Sequence, residues 1–410
     1  MEQWKEYRLE EIGTIIGGAT PSTKDSNNYD GKIPWITPKD LSNHKDRYIY
    51  RGERMITQKG YESCSCKMLP KGSILFSSRA PIGYIAIAGT EMCTNQGFKS
   101  IVPNTSFIDT HFLYYLLLFN KAKIEGLGSG TTFKEVSGNV MKSVSVSIPN
   151  ISEQKRIAEL LSALDDKIEL NRRINDNLEQ QAQALFKSWF VDFEPFKDGE
   201  FVDSELGMIP KGWTIKTLDS LCDIVGGGTP SKAKAEYYCL NGIAWLTPKD
   251  LSISHLKYSY HGEMDITELG YSNSSAKIMP KGTVLFSSRA PIGYISIAAN
   301  EVCTNQGFKS LVPKVAGTCF LYLFLKENTS LIESQASGST FKEVSGSLMK
   351  AQTVIVPNNT QILDNFEENV NNIFELQKNI ELEILSLQTI RDSLLPRLMS
   401  GELKINDLNC

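Results

Sequence analysis

The sequence lacks long apolar segments. No apolar run approaches the roughly 18 residues that a membrane span requires, and the acidic start MEQWKEYRLEE has no apolar core of the kind found in secretory signals. The eight cysteines are scattered, without the short paired spacings of a zinc site. These absences argue against a membrane protein, a disulfide scaffold and a metal centre, and we expect a cytoplasmic protein with no membrane partner.

Motifs of common enzyme classes are also missing. The sequence has no G-x-x-x-x-G-K-[ST] nucleotide loop, no H-E-x-x-H zinc motif, no G-x-S-x-G elbow and no Asn-Pro-Pro-aromatic run of the amino-methyltransferase kind. A general base needs a positioned partner, and the histidines all lie where the two halves of the chain differ: His44, His111, His255 and His261. We interpret them as structural or surface residues and predict no catalytic site.

A long internal repeat is the main feature that is present. The stretches FSSRAPIGYI (76–85) and CTNQGFKS (93–100) recur unchanged at 286–295 and 303–310. Solenoid units have about 20–50 residues, so a period near half the chain indicates two tandem domains instead. Three further pairs keep the same order: GGATPS (17–22) and GGGTPS (226–231), TPKDLS (37–42 and 247–252), and FKEVSG (133–138 and 341–346).

The local pattern predicts an α+β fold for each domain. Residues 1–150 alternate short β-leaning runs with turns containing Gly and Pro, and one clearly helical apolar stretch extends from Phe112 to Asn120. Cys93 and Cys303 recur within the repeat and are expected to be small buried residues. We divide the chain into a first domain (1–150), a first long helix (151–194), a linker (195–210), a second domain (211–357), and a second long helix with a C-terminal tail (358–410).

Both long helices carry apolar residues at heptad spacing. In the second, five apolar residues follow one another at intervals of seven, and in the first Asn171 occupies a seam position where a polar side chain can fix register. We favour pairing of the two helices, and the alternative is two amphipathic helices that each pack on their own domain. The residues expected to pair the helices are Ile157, Leu160, Leu164, Asn171, Ile174, Leu178, Phe366, Ile373, Ile380, Leu387 and Leu394.

Charge is distributed unevenly along the chain. The net charge is −4, but residues 151–194 hold six basic and nine acidic residues, and residues 358–408 hold four and nine. The remainder therefore carries 33 basic and 29 acidic residues. This modest excess of positive charge outside the helices is compatible with a nucleic-acid partner.

The two copies share basic, amide and hydroxyl side chains near turns. Such residues on loops suit contacts with phosphates, which position a protein on DNA without specifying its sequence. The alternative is that they hold the fold. The candidates for DNA contacts are Lys39, Ser77, Ser78, Arg79, Asn95, Gln96, Lys99, Lys134, Lys249, Ser287, Ser288, Arg289, Asn305, Gln306, Lys309 and Lys342.

Two corresponding segments differ in their polar side chains. Residues 43–66 and 253–276 keep their length and aromatic residues but exchange Arg, Lys and His for other polar groups. Base-contacting surfaces for different half-sites would require this pattern, although drift of surface loops produces it too. The candidates for base contacts are His44, Lys45, Arg47, Tyr48, Arg51, His255, Lys257, Tyr258 and His261.

Several stretches together resemble the specificity subunit of Type I restriction-modification systems, over the whole chain and in the same order. They are IPWITPKDL, FSSRAPIGYIAIA, TNQGFKS, ISEQKRIAELLSALDDKIELNRRIND, LFKSWFVDFEPF, LGMIPKGW and LLPRLMSGEL. The resemblance implies a non-catalytic, DNA-binding subunit with two target-recognition domains, each of which recognises one half of a split site in double-stranded DNA. It also implies that the helices form an antiparallel coiled-coil spacer.

The same resemblance implies partners and their cofactors. Two methyltransferase subunits that hold S-adenosylmethionine would dock on the helices, and restriction subunits that use ATP and Mg²⁺ would join them; this subunit itself would hold no cofactor. Two other functions remain open on the sequence alone: an enzyme with its own methyltransferase or nuclease site, and a coiled-coil adaptor without a DNA role. The two domains are unusually alike for this family, which predicts similar half-sites in inverted orientation.

Overall fold

The computed structural model describes residues 4–130, 134–289, 291–338 and 342–405, and the chain forms two compact units. The first unit comprises Met1–Leu170 together with Ile384–Cys410, and the second comprises Asn171–Glu383. Of the repeated stretches, Phe133, Ala290 and Phe341 lie outside the described residues. The first unit is thus discontinuous in sequence, whereas the second is contiguous.

The first half of the chain contains short strands and helices and ends in one long helix. The strands are β1 (Lys5–Arg8), β2 (Gly13–Gly17), β3 (Tyr29–Ile36), β4 (Tyr48–Ile49), β5 (Met55–Ile56), β6 (Ile74–Ser78), β7 (Ile82–Ala88), β8 (Cys93–Thr94), β9 (Lys99–Pro103) and β10 (Ser145–Ile148). The helices are α1 (Leu9–Ile12), α2 (Pro38–Ser42), α3 (Gln58–Glu62), α4 (Thr110–Phe119), α5 (Lys121–Gly126), α6 (Gly138–Ser143) and α7 (Ile151–Phe190).

The second half repeats this order of elements after a hairpin. The strands are β11 (Phe201–Ser204), β12 (Gly207–Pro210), β13 (Trp213–Thr217), β14 (Cys222–Gly226), β15 (Tyr238–Cys239), β16 (Trp245–Leu246), β17 (Tyr258–Ser259), β18 (Asp265–Ile266), β19 (Val284–Phe286), β20 (Ile295–Ala298), β21 (Cys303–Thr304), β22 (Lys309–Pro313) and β23 (Thr353–Pro357). The helices are α8 (Pro248–Ser254), α9 (Glu268–Ser272), α10 (Thr318–Ser334), α11 (Gly346–Lys350) and α12 (Gln361–Met399).

Each unit is built on a five-stranded sheet of the same topology. The order is β2-β9-β6-β7-β4 in the first unit and β14-β22-β19-β20-β17 in the second. The last strand of each sheet pairs in parallel, and the other pairs are antiparallel. Ile74 lies opposite Ile101, and Val284 lies opposite Leu311. These four side chains are fully buried, so the apolar pattern sets the register of the central strands.

The repeated TPKDLS motif forms the start of a helix in each unit. Asp40 Oδ2 accepts hydrogen bonds from Thr37 N and Oγ1 at 2.7 Å, and proline follows at the first helical position. Asp250 and Thr247 repeat this arrangement at 2.7 Å. A capping box with Pro in the first turn favours helix initiation, which explains the Thr, Pro and Asp of the motif.

The helices α7 and α12 lie antiparallel within each unit. In the first unit Arg391 Nη1 lies 2.7 Å from Asp165 Oδ1. In the second unit Asn171 Nδ2 donates to Glu383 Oε2 at 2.8 Å, and Gln377 Nε2 donates to the Asn175 carbonyl oxygen at 3.2 Å. The expected α+β fold with antiparallel paired helices is therefore confirmed.

Most residues expected to pair the helices lie on buried faces. Ile157, Asn171, Phe366 and Ile380 are buried, and six others are half-buried: Leu160, Leu164, Leu178, Ile373, Leu387 and Leu394. Ile174 is exposed, so its assignment to the seam is wrong. From Asn171 the buried stripe of α7 continues to half-buried Asn175 and not to Ile174, because an α-helix drifts away from a strict seven-residue repeat.

The helices also pack on the domains, so their apolar faces are wider than a coiled-coil seam. In the second unit the Phe190 ring lies 4.8 Å from the rings of both Phe320 and Phe366, measured between centroids. In the first unit Ile157 and Leu161 join the core that contains Phe112. The two sequence interpretations, pairing with the other helix and packing on a domain, thus both describe these helices.

Each unit packs against the end of a long helix and the residues that follow it. In the first unit Leu398 and Met399, in the last turn of α12, are buried in the main core, and Gly401 (φ 75°) packs against Trp4. In the second unit the ring centroids of Phe193 and Phe196 lie 5.3 and 5.0 Å from that of Trp213. The segment expected to be an irregular linker also holds the hairpin β11–β12, whose strands are too short to show periodicity.

Two global properties constrain function. Among the residues that the structure describes, no helix is long and apolar enough to cross a membrane. Over the same ranges, no group of three or more His, Cys, Asp or Glu side chains is arranged to hold a metal ion.

Candidate nucleic-acid interface

The serines of the repeated FSSRAPIGYI turn are structural. Ser77 Oγ donates to the Pro81 carbonyl oxygen and accepts from Tyr84 N, both at 2.8 Å, and Ser78 Oγ donates to the Gly97 carbonyl oxygen at 3.2 Å. The second unit repeats the first two bonds at Ser287. The expectation of DNA contacts is wrong for all four serines, because they are fully buried: Ser77, Ser78, Ser287 and Ser288.

The arginine of this turn lies in an ion-pair cluster. In the first unit Arg79 Nη1 lies 3.5 Å from Glu135 Oε2, and Lys99 Nζ lies 3.1 Å from Glu135 Oε1. The backbones of Arg79 and Glu135 also form a β-bridge. Arg79 and Glu135 are about one third exposed, so the cluster can be reached from solvent.

The second unit contains the same cluster. Arg289 Nε and Lys309 Nζ lie 3.0 and 3.3 Å from the two carboxylate oxygens of Glu343. Partial burial would raise the pKa of Glu343, but hydrogen bonds from Arg289 and Lys309 outweigh it and hold the pKa below its ordinary value. The glutamate therefore stays ionised and neutralises part of the local positive charge.

Glu135 and Glu343 were not among the sequence candidates. Both belong to the repeated FKEVSG stretch, so their recurrence was a usable signal. An acid that recurs beside repeated cations can position them, which is the role that these two glutamates have.

The Asn and the Gln of the TNQGFKS stretch have different roles. Asn95 Oδ1 accepts a hydrogen bond from Gly97 N at 2.8 Å, and Asn305 Oδ1 accepts one from Gly307 N at the same distance. These bonds stabilise the turn. Exposed Gln96 is hydrogen-bonded to Thr20 of the GGATPS stretch, and Gln306 to Thr229. Gly18 is required there because a Cβ would overlap the Thr94 carbonyl oxygen. Gln96 and Gln306 remain candidates for DNA contacts.

Four lysines from the candidate set are exposed. Lys39 Nζ lies 2.7 Å from Glu53 Oε2, and Lys249 Nζ lies 2.6 Å from Glu263 Oε2. These hydrogen bonds raise the pKa of both lysines, so both are charged at neutral pH. Exposed ion pairs contribute little to stability, which leaves the side chains available to another anion. The other two exposed lysines are Lys134 and Lys342.

Three of the base-contact candidates are buried against the long helices. Arg47 is 4% exposed and Lys257 is 6% exposed, and both form ion pairs with helix carboxylates. Tyr258 is buried, and its OH donates to the Phe374 carbonyl oxygen at 3.3 Å. The expectation of base contacts is wrong for these three residues, because their polar atoms are bound inside the unit.

The remaining candidates in the divergent segments lie at or near the surface. Lys45, Arg51, His255 and His261 are exposed. Tyr48 is half-buried and its OH is hydrogen-bonded to His111 Nε2. His44, also half-buried, has Nε2 within 3.1 Å of the Tyr48 carbonyl oxygen.

The two cysteines of the repeated CTNQGFKS stretch are not activated as nucleophiles. Cys93 and Cys303 are buried as expected, and burial raises their pKa values to about 11 and about 12. Such thiols stay protonated at neutral pH and are poor nucleophiles. What the two units present in common is a set of paired cations and amides around one turn.

Comparisons with known proteins agree on one family. The family model described as "Type I restriction modification DNA specificity domain" matches residues 1–180 and 210–386. The MjaIX specificity subunit of a Type I restriction enzyme from Methanocaldococcus jannaschii is 34% identical, and the match covers 99% of this chain and 95% of that protein. The HindI specificity subunit from Haemophilus influenzae is 28% identical, with coverage of 98% and 100%.

A solved structure shares the fold. The crystal structure of the S subunit of a Type I restriction-modification system from M. genitalium superimposes with a TM-score of 0.60 at 17% identity, and covers 97% of this chain and 96% of that one.

Proposed function

Because the chain belongs to the Type I restriction-modification DNA specificity family and is a specificity subunit, the non-catalytic part of such a complex, we propose that each unit recognises one half of a bipartite DNA site. The observation that carries the proposal is the division between shared and divergent surfaces. The two units build the same turn and ion-pair cluster, but carry different exposed side chains in residues 43–66 and 253–276. The shared part suits phosphates, and the divergent part suits bases.

The ion-pair clusters are proposed to contact the DNA backbone. A phosphate that approaches Arg79 or Arg289 would replace one oxygen of Glu135 or Glu343, and the lysine of the cluster would keep the glutamate in place. Base contacts are assigned to four exposed residues of the divergent segments, Lys45, Arg51, His255 and His261, and to half-buried His44 and Tyr48.

Arg289→Ala is expected to weaken DNA binding to a similar degree for all sequences. Loss of one phosphate contact should lower the slope of log K against log salt concentration by about 0.9. The measurement is a salt titration of binding by the subunit in complex with its methyltransferase partner. Lys211→Ala is the matched control, because Lys211 lies 2.5 Å from Glu200 in a similar exposed pair outside the cluster. A changed recognition sequence with an unchanged slope would show that Arg289 contacts a base.

The long helices are proposed to form the spacer between half-sites and to dock two methyltransferase subunits. Apolar side chains on their outer faces are exposed: Leu376 and Leu382 in the second unit, Leu385 and Ile390 in the first. Exposed leucines and isoleucines on paired helices suit protein–protein contacts. S-adenosylmethionine would then belong to the methyltransferase subunits, ATP and Mg²⁺ to restriction subunits, and the complex to the cytoplasm.

The two half-sites are expected to be similar sequences in inverted orientation. The two units share their sheet topology, turn and cluster, so their base-contacting surfaces present the same backbone to DNA. Methylome sequencing of a host that carries the subunit with its methyltransferase partner will give the motif. Two unrelated half-sites would contradict this prediction, and the absence of any bipartite motif would contradict the proposed function itself.

A further inference from the structure

The main chain of one residue in each divergent segment is held between the sheet and a long helix. In the first unit the Arg47 carbonyl oxygen accepts from Ile87 N of β7 at 2.7 Å, and Arg47 N donates to Glu169 Oε1 of α7 at 2.8 Å. We call Arg47 and its counterpart Lys257 the anchor residues.

The second unit forms the same arrangement with a different helix. The Lys257 carbonyl oxygen accepts from Ile297 N of β20 at 2.7 Å, and Lys257 N donates to Glu381 Oε1 of α12 at 2.7 Å. The next amide, Tyr258 N, donates to the other oxygen of Glu381 at 3.1 Å. Both oxygens of this helix carboxylate are therefore bound to the main chain of the divergent segment.

The anchor side chains strengthen the attachment. Arg47 Nε lies 3.1 Å from Glu169 Oε1, and its Nη2 is paired with Asp166. A buried cation is costly unless it is paired, and removal of one partner of a buried pair is strongly destabilising. The ion pairs therefore keep the anchor residue against the helix.

Lys257 reaches a comparable environment by other contacts. Lys257 Nζ lies 2.6 Å from Glu179 Oε2 of α7 and 3.5 Å from the centroid of the Phe374 ring of α12. The first unit thus uses an Arg anchor and a Glu of α7, and the second uses a Lys anchor and a Glu of α12. Both units keep the position of the anchor residue's main chain, while the side chains that hold it differ.

The anchor residues lie next to the exposed candidates for base contacts. Lys45 and Arg51 flank Arg47, and His255 and His261 flank Lys257, each within four positions in sequence. These side chains lie only two to four residues from the anchor residue, so a displacement of the anchor main chain displaces them as well. A base contact loses its discrimination over a displacement of about 1 Å, because hydrogen bonds weaken steeply outside their narrow range of length and angle.

We infer that Glu169 and Glu381 are positioning residues for DNA specificity: each fixes, from a long helix, the main chain that presents the base-contacting side chains of its own unit. The inference rests on the proposed function and adds to it. Half-site discrimination depends on two helix carboxylates that touch no DNA, and each carboxylate serves one half-site only.

Glu169→Ala and Glu381→Ala in the full complex with the methyltransferase test this inference, and each variant is the control for the other. The probe is a library of duplexes built on the motif mapped for the wild type, with single mismatches in either half-site. Glu381→Ala should raise methylation of duplexes mismatched in the second unit's half-site about five- to tenfold, and leave discrimination at the other half-site unchanged. Glu169→Ala should do the reverse.

A conservative variant separates positioning from folding. Glu381→Gln retains one carbonyl oxygen that can accept from Lys257 N, so its loss of discrimination should be intermediate and confined to the same half-site. Exchange of the Lys257 and Tyr258 amides with deuterium should be faster in both Glu381 variants. If Glu381→Ala fails to fold, the Gln variant decides the question. Glu375→Ala, an exposed position on the same helix, should change nothing.

The inference is overturned if the folded variants lower methylation equally on all duplexes, or if a Glu381 variant changes discrimination at both half-sites. Its failure is distinguishable from that of the proposed function. A wild-type complex that yields no bipartite motif refutes the function, whereas a bipartite motif with unaltered discrimination in the variants refutes only the positioning role.

Discussion

Ile380→Asp is expected to lower the free energy of unfolding of the second unit by about 3–5 kcal/mol, because it removes a buried aliphatic side chain and buries an unpaired carboxylate. Ile380 is 8% exposed on α12. Burial raises the pKa of the neighbouring Glu381 above its ordinary value, which shows that a carboxylate charge is disfavoured at this position. Denaturant unfolding, followed by hydrogen exchange in the strands of the second unit, will measure the loss.

The sign of the pH dependence provides a second check. The introduced carboxyl would have a raised pKa in the folded state, so its destabilising effect is fully present at neutral pH. The effect should diminish as the pH falls through that raised pKa, since protonation removes the buried charge. If the loss of unfolding free energy is the same at pH 7 and pH 5, the lost packing of Ile380 alone is responsible for it.

Leu382→Asp is the matched control, because the same substitution is made two residues away at a side chain that is 42% exposed. Stability should change by less than about 0.5 kcal/mol. If the outer face of the helix docks a methyltransferase subunit, this variant should nevertheless lose much of its co-purification with that partner. Equal destabilisation by both substitutions would contradict the assigned faces of α12, and unchanged assembly would remove Leu382 from the docking surface.

Leu398→Ala is expected to destabilise the first unit by about 2–5 kcal/mol, the usual cost of a cavity at a fully buried leucine. Leu398 is inaccessible to solvent and belongs to the core that contains Leu9, Phe112 and Ile157, although it is far from them in sequence. Hydrogen exchange should accelerate in β2, β6 and β9 of the first unit, and the strands of the second unit should be unaffected.

Leu385→Ala controls for a general effect on α12. Leu385 also belongs to the first unit, but it is exposed, so its truncation should cost less than about 0.5 kcal/mol. Should Leu398→Ala leave protection of the first unit intact, the assignment of this part of α12 to the first unit's core would be wrong.

Much of the fold was predictable because its signals are local or repeated. The absence of Gly and Pro between Ile151 and Phe190, together with apolar spacing, is sufficient to predict a long helix. Ile174 was misplaced because a heptad extrapolated from Leu160 loses phase with a real α-helix over several turns. The hairpin β11–β12 was missed because four-residue strands are too short for a period to be recognised.

The site was predictable only in part, because its contacts join residues that are distant in sequence. Arg79 and Lys99 were found as cations, but their partner Glu135 follows Lys99 by 36 positions. Arg47 and its partner Glu169 are separated by 122 positions. No local pattern encodes such pairs, so a buried cation on a divergent loop could not be distinguished from an exposed one that binds a base.

The discontinuity of the first unit has a consequence for biosynthesis. Domains generally fold in the order in which the ribosome makes them, at roughly 5–20 residues per second. In this chain residues up to Leu170 emerge first, but their core lacks Leu398 and Met399, which follow roughly ten to fifty seconds later at that rate. The contiguous second unit ends at Glu383, so it can complete its core before Leu398 and Met399 are synthesised. The first unit to be translated is thus the last to be completed, and in the interval its apolar surface is available to chaperones.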